Sequence, residues 1–522
     1  MATVWKRERA GWAFGAILVA AVPLILYQGR EQWFFFDDWY FLDPISSLSI
    51  SGVMEPYWGH WTLVPRLLDS VLFSLFGLHH YLPYQLFVVA AHVACAALLW
   101  IVMTRAKVQP WIATAAATFF LLFGPGRQNM VWAFQVSMTG SLMFGLAQLV
   151  LADHDGPINR RDLAAVGCGL LAIASTNLGV ILVMATVIAT LIRRGWRAAV
   201  VQGAPPATAY LTWFVVVARH TKTPLDFVAD SPRQLAEYAW GLVRRLYLVV
   251  GPGPTGFVLV AGVVVLGVGL VRNDHPEWAA PLALLVGAPL FVLSTSFARA
   301  GSLAVPIPPD PTPGRYMHVL VALSLPTVAV ALTQMARRCQ WVPLVVVVGV
   351  LACLPANVRA IATPSSAAEL GDPINALVTA DVVRQFPTLP THKGASLALL
   401  KSVGWVAEQD RAGRIPAAPP GHETLRSAVF SYLAFESAGG DASRSCPAVA
   451  APDQIRLLPD DVLQVRAPAG SELTLTDQDR HLVAQFPIGS TGSLAVRVTA
   501  GPMNVVPDLS PPPPVVRFAL CR

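Results

Sequence analysis

Apolar stretches recur along the chain from residue 11 to residue 357, separated by short polar or basic connections. They fall at 11–28, 83–104, 111–123, 136–151, 163–175, 178–191, 198–217, 256–271, 279–297, 316–335 and 342–357. A helix needs about 20 predominantly apolar residues to cross a bilayer. The pattern therefore predicts about eleven spans, several of them short. The first follows Lys6, Arg7 and Arg9 and so resembles a secretory leader. It continues into Gly29-Arg30-Glu31-Gln32-Trp33 with no small-residue cleavage site, which predicts an uncleaved span. The fifth and sixth stretches meet at Ser175-Thr176-Asn177, a polar break that membrane depth tolerates only where protein or water covers it.

Beyond residue 357 the long apolar runs stop. Apolar spacings near three and four predict helices at 372–386 and 395–411. Short alternating runs at 454–458, 462–465, 472–475, 482–486, 493–498 and 515–520, separated by Gly, Pro and Asp turns, predict a small β-sandwich. The proline run at 511–514 reads as a stiff surface connection. The expected fold is an α-helical polytopic membrane protein with a C-terminal α+β region outside the membrane. Its parts are a transmembrane domain at 1–360 with a large first outer loop at 29–82, a mainly helical region at 361–445, and a β-sandwich at 446–522.

Charge sets the orientation. Only 13% of residues are charged, against about 25% in soluble domains. Basic residues gather in alternate connections: Lys6, Arg7 and Arg9; Arg105 and Lys107; Arg160 and Arg161; Arg193, Arg194 and Arg197; Arg272; Arg337 and Arg338. The positive-inside rule then places the N-terminus in the cytoplasm and, after an odd number of spans, the C-terminal region outside. The net charge of +6 is therefore a topology signal and not a nucleic-acid footprint. Arg-rich, Ala- and Val-rich usage suggests a GC-rich, actinobacterial-like genome and hence a bacterial plasma membrane. In that oxidising exterior, Cys446 and Cys521, which bracket the β-region, are disulfide candidates. Cys95, Cys168, Cys339 and Cys353 lie in or beside spans without metal-ligand spacing.

The densest local chemistry is Trp33-Phe34-Phe35-Phe36-Asp37-Asp38-Trp39-Tyr40, just outside the first span. An aromatic belt accounts for the rings. It accounts less well for two adjacent acids among them, since burial and like charge both raise a carboxylate pKa. Such a setting suits a general base or a metal ligand. The acids thus admit a divalent metal, although no ligand set is evident. Further candidates on the outer side are Trp58, His60 and Trp61 of the same loop, and Arg127, Gln128 and Asn129 with Trp132 and Gln135. Arg244, Arg245, Arg299 and Arg315 complete them, whereas His79 and His80 read as interfacial residues. No Walker loop, His-Glu-x-x-His or Gly-x-Ser-x-Gly occurs.

Asp37-Asp38 directly after the first span, in a chain of many spans, resembles the C-type membrane glycosyltransferases (GT-C). These include protein O-mannosyltransferases, lipid A aminoarabinose transferases and mycobacterial arabinosyltransferases. The resemblance implies sugar transfer from a polyprenyl-phosphate donor to a cell-envelope glycan or lipid acceptor, with Asp37 or Asp38 as catalytic base. It also implies a basic residue near a late span for the donor phosphate. Arg315, Arg244, Arg245 and Arg127 are the candidates, because the guanidinium fork matches phosphate oxygens; anchoring to lipid headgroups is the alternative for Arg244 and Arg245. His60, Trp58, Trp61 and Gln128 would shape the acceptor or sugar side. Membrane lipids are expected partners and nucleic acid is not. Two rivals stand beside this reading. A non-catalytic envelope assembly protein would share the topology. A transporter or flippase would place acids deep in the spans and show an internal repeat, and the sequence has neither.

Overall fold

In the computed structural model the chain is mainly helical, with its named strands beyond residue 434. The structure describes residues 2–45, 50–221, 228–250, 276–301, 314–364, 367–390, 402–437, 447–449, 454–469, 471–476, 482–488, 493–500, 503–510 and 517–521. The helices up to the last apolar run are α1 (Ala2–Gln28), α2 (Asp37–Ile45), α3 (Ile50–Met54), α4 (Leu63–Phe76), α5 (Leu82–Arg105), α6 (Pro110–Leu121), α7 (Gln128–Val131), α8 (Val136–Ala152), α9 (Arg160–Ile173), α10 (Leu178–Arg194), α11 (Trp196–Val216), α12 (Pro232–Val250), α13 (Ala279–Arg299), α14 (Gly314–Arg338) and α15 (Val342–Ala362). Then come α16 (Ala367–Gln385), α17 (Val403–Arg411) and α18 (Glu423–Ala434).

Among the described residues seven helical segments are long and apolar enough to cross a membrane: Glu8–Gln28, Leu82–Arg105, Ala133–Ala152, Trp196–His220, Pro276–Arg299, Gly314–Arg338 and Val342–Ala362. The protein is thus a multi-pass membrane protein, and these seven coincide with seven of the expected spans. The predicted spans at 111–123, 163–175 and 178–191 form α6, α9 and α10, of 12, 14 and 17 residues. At a rise of about 1.5 Å per residue these reach roughly 18, 21 and 26 Å, short of the ~30 Å hydrocarbon thickness. The run at 256–271 lies outside the described residues. The break at Ser175 and Thr176 is real, and both residues are buried in protein.

Two compact units make up the chain. The first comprises residues 1–32, 44–72 and 81–365. Its core runs through Leu99, Met103, Ile112, Phe120, Leu142, Leu284 and Leu320. At one end of this bundle, arginines expected to mark topology are engaged by acids of the α8–α9 connection and of the first turn of α9. Arg194 grips the fully buried Asp162 at 2.5 and 3.1 Å. Asp162 also accepts from the Asn159 N–H at 2.9 Å and from Gln202 Nε2 at 3.0 Å, and His154 Nε2 lies 3.2 Å away. Burial raises the Asp162 pKa, but the Arg194 hydrogen bond, the Asn159 N–H and the charge of Arg194 carry it down to about 2. Arg193 bridges Asp153 and Asp155, and Arg105 donates to the Asp153 carbonyl at 3.1 Å. The ends of α5, α8, α9 and α10 are fastened together in this way, with α11 joined to them through Gln202.

The second unit comprises residues 33–43, 73–80 and 366–522, so parts of the segment between α1 and α5 belong to it. Its strands are β1 (Phe435–Ser437), β2 (Ala448–Val449), β3 (Ile455–Leu457), β4 (Val462–Arg466), β5 (Glu472–Thr476), β6 (Leu482–Pro487), β7 (Ser493–Val498), β8 (Met503–Ser510) and β9 (Arg517–Cys521). They form two antiparallel sheets, ordered β1-β7-β4-β9-β2 and β3-β8-β5-β6. Alternate residues, such as Leu463 and Val465 or Leu473 and Leu475, are buried, as a half-buried pleat requires. Rings of Phe386, Phe430, Phe435 and Phe486 follow one another at 4.3, 6.3 and 5.2 Å, linking the helices to both sheets. The sheet begins at Phe435, ahead of the expected boundary at 446, because β1 pairs with β7. Cys521 is disulfide-bonded; Cys446, its expected partner, lies outside the described residues.

Candidate functional site

The site is built in the first unit where α6 gives way to a turn at Gly124–Gly126. This turn is wedged against α14. A Cβ on Gly314 would stand 1.8 Å from the Pro125 carbonyl oxygen, and one on Gly126 would stand 2.7 Å from the His318 ring. Glycine at both positions permits the approach. Arg127 then buries its side chain and donates from Nε to the Ile361 carbonyl at 2.7 Å. Burial brings its pKa down to about 10. Arg127 therefore fastens the turn to the end of α15.

The short helix α7 next presents Gln128, whose Oε1 accepts from Arg315 Nη1 at 3.2 Å. Asn129 is fully buried. Its Nδ2 donates to the Arg315 carbonyl at 2.9 Å and lies 3.2 Å from His318 Nδ1. His318 Nε2 lies 3.1 Å from His92 Nδ1, and His92 Nε2 lies 2.9 Å from the Leu121 carbonyl. A carbonyl can only accept and the Asn129 amide nitrogen can only donate, so each imidazole carries one proton, on Nε2. His92 and His318 were hidden in the sequence because each stands alone in an apolar run. The available signal was an ionisable residue within a span.

Arg299 closes α13 and Arg315 opens α14. Both make side-chain hydrogen bonds with the Tyr316 hydroxyl, and the Arg315 guanidinium stands 5.3 Å from the Tyr316 ring. Two cations thus converge at the ends of consecutive helices. The Arg299 guanidinium also stands 5.8 Å from the Trp58 ring. Trp58 and Gly59 occupy the centre of a tight turn closed by Tyr57 and His60, at φ +48° and +76°. Paired positive φ values belong to a type I′ turn. An indole at the first position is strained, a feature that clusters at functional sites. Asn177, from the break between α9 and α10, donates to the Gly59 carbonyl at 3.2 Å and hydrogen-bonds His60.

His60 Nδ1 is buried with no hydrogen-bond partner among the described residues. Burial, reinforced by Arg299, lowers its pKa from 6.5 to about 4. The folded ring therefore resists a proton that the unfolded ring accepts below pH 6.5. Stability from this residue is complete above pH 6.5 and falls as pH drops toward 4. The unfolding midpoint of the native protein in detergent should decline over that window, and His60→Gln should flatten the decline. Parallel curves for the two proteins would refute the assignment.

The remaining candidates lie elsewhere. Trp61 stacks on Trp213 at 5.5 Å in a buried cluster. Trp132 and Gln135 are buried. Arg244 and Arg245 are exposed on α12. Asp37 and Asp38 belong to the second unit, whereas the arginines, His60, Trp58 and Trp61 belong to the first. In that second unit Asp38 is buried, and its Oδ2 accepts from the Phe35 N–H at 3.0 Å. It therefore shapes the entry to α2, while Asp37 is half-buried. Trp33 packs 5.3 Å from Phe34 and 5.7 Å from Trp39. Phe36 sits at φ +48°, and its N–H donates to Asp372, an acid the sequence did not single out. Burial raises the Asp372 pKa, partly offset by that bond. Among the described residues no group of three or more His, Cys, Asp or Glu is gathered as for a metal ion.

No family model matches the sequence, and no curated protein matches it. The structure is similar to two crystal structures of ArnT from Cupriavidus metallidurans. One, bound to undecaprenyl phosphate, is 16% identical with a TM-score of 0.46, covering 84% of this chain and 96% of that chain. The other, in the apo state, is 15% identical with a TM-score of 0.44, covering 85% and 96%.

Proposed function

We propose that this protein is a membrane glycosyltransferase. It moves a sugar from a polyprenyl-phosphate donor to a cell-envelope acceptor on the outer face of a bacterial plasma membrane, with the N-terminus cytoplasmic and the β-region outside. The observation that carries the reading is the meeting of Arg299 and Arg315 on the Tyr316 hydroxyl, beside Gln128, where two apolar helices end. A lipid phosphate needs this combination: an apolar wall for the prenyl chain and fork-shaped donors at headgroup level. The Asp37-Asp38 pair just after the first span supplies the resemblance to C-type glycosyltransferases.

In this reading the acceptor hydroxyl attacks the anomeric carbon and its proton passes to a carboxylate base, the role that the resemblance gives to Asp37 or Asp38. The bond from that carbon to the phosphate oxygen breaks, and the electron pair stays on the phosphate. Arg299 and Arg315 stabilise the charge that develops there. Trp58, on its strained turn, offers an apolar face to a sugar ring. His60, neutral at physiological pH, can hydrogen-bond a hydroxyl without attracting an anion. The rival transporter reading would use the Asn129–His318–His92 line as a proton path. Fixed groups hold both of its ends, which suits a rigid brace better.

Transfer of labelled sugar from membrane polyprenyl-phosphate donors to an envelope extract tests the proposal. Arg315→Gln should lower transfer by about 10²–10³-fold, the cost of removing one preorganised donor to developing charge. Unchanged transfer by Arg315→Gln would remove the phosphate assignment. No transfer by the native protein across a broad donor panel would favour a non-catalytic assembly role.

A further inference from the structure

The helix α12 is not among the predicted spans, and it divides sharply by face. Tyr238 and Leu242 are buried in the core of the first unit, against α13 and α14. At 3.6 residues per turn, Arg233, Trp240, Arg244 and Leu248 fall on the opposite face; Arg245 follows Tyr238 by two turns and leaves the helix beside the buried face, but its long side chain is exposed. Trp240 is 60% exposed and Leu248 47%; both arginines are exposed. Arg233 is paired with Glu237 at 2.8 Å. Neither Arg244 nor Arg245 has a hydrogen-bond or ion-pair partner among the described residues, and the stretch from Trp240 to Leu248 holds no acid. Two uncompensated guanidiniums beside an exposed indole and an exposed leucine do not suit bulk water. They match the boundary where phosphates meet acyl chains, with the rings and aliphatic stems in the hydrocarbon and the forks on the phosphates.

We propose that this face of α12 is a binding surface for anionic phospholipid headgroups, and that Arg244 and Arg245 serve it instead of the donor phosphate. Trp240 and Leu248 set its depth in the leaflet. Each basic residue near an anionic surface contributes roughly a fivefold preference, so the pair should enrich anionic over zwitterionic lipid by up to about 30-fold. The inference does not depend on the glycosyltransferase reading.

The test uses the full-length protein reconstituted in phosphatidylcholine vesicles. These are doped with equal amounts of either brominated phosphatidylglycerol or brominated phosphatidylcholine. Subtracting the Trp240→Phe variant isolates quenching at Trp240. The native difference signal should be quenched by both lipids and more strongly by the phosphatidylglycerol. Arg244→Gln/Arg245→Gln should abolish that preference while quenching by phosphatidylcholine persists. Absence of quenching at Trp240 would overturn the proposal, because the face would not be in lipid. Equal quenching by both lipids in the native protein, or a preference that survives the double substitution, would overturn it too. So would loss of the preference on adding inorganic phosphate at constant ionic strength, which would assign the arginines to a soluble anion.

Discussion

Asp37→Asn should reduce sugar transfer by about 10²–10⁴-fold, the usual contribution of a positioned general base. Asp38→Asn should leave most of it. The two acids are neighbours in sequence but differ in circumstance. Asp38 is buried and holds the Phe35 N–H, so an amide oxygen can take over its hydrogen bond. Asp37 is the more open of the pair and opens α2. The structure therefore separates two residues that the sequence presented as equals. Initial rates at saturating acceptor, for variants matched in membrane abundance, read out the difference. A full loss in Asp38→Asn with full activity in Asp37→Asn would reverse the roles. Full activity in both would remove the base from this loop.

The second large effect is on folding. Asp162→Ala should destabilise the first unit by about 3–5 kcal/mol, because Arg194 would be left buried without its counter-ion. Three further donors, from Asn159, Gln202 and His154, lose their acceptor at the same time. Asp162→Asn should cost less, since it keeps an acceptor while removing the charge. Thermal unfolding in detergent, together with the yield of monodisperse protein, measures both. A melting point for Asp162→Ala within a degree or two of native would show that the cluster is ornamental.

Much of this architecture is legible in the sequence, and the misreadings have physical causes. Ten of the eleven apolar stretches correspond to described helices, because burial and lipid exposure both demand apolar side chains. The helix α12 went unrecognised because its polar face dilutes its hydropathy. In the β-region, β8 was hidden by Pro507, which reads as a breaker. It nevertheless sits within β8, in register with Leu475 of β5. Of the site, Arg315, Gln128, Trp58 and His60 were visible as unusual polar or aromatic residues on one side. Their connection through Arg299 and Tyr316 was not, since it joins segments more than two hundred residues apart. The His92–His318 contact was equally unreadable, because no local pattern links a histidine in α5 to one in α14.

The clamp formed by Arg105, Arg193 and Arg194 also bears on timing. The positive-inside rule expects these arginines to orient a nascent chain, yet in the folded protein Asp153, Asp155 and Asp162 cancel most of their charge. Both roles are compatible only in succession. If the charges are read during insertion, that happens while the acids of α8–α9 are still unpaired, and the charges are afterwards consumed in locking four helix ends. A topology signal of this kind is temporary. Its spending makes the chosen orientation hard to reverse, since turning a hairpin over would first require breaking the buried pairs.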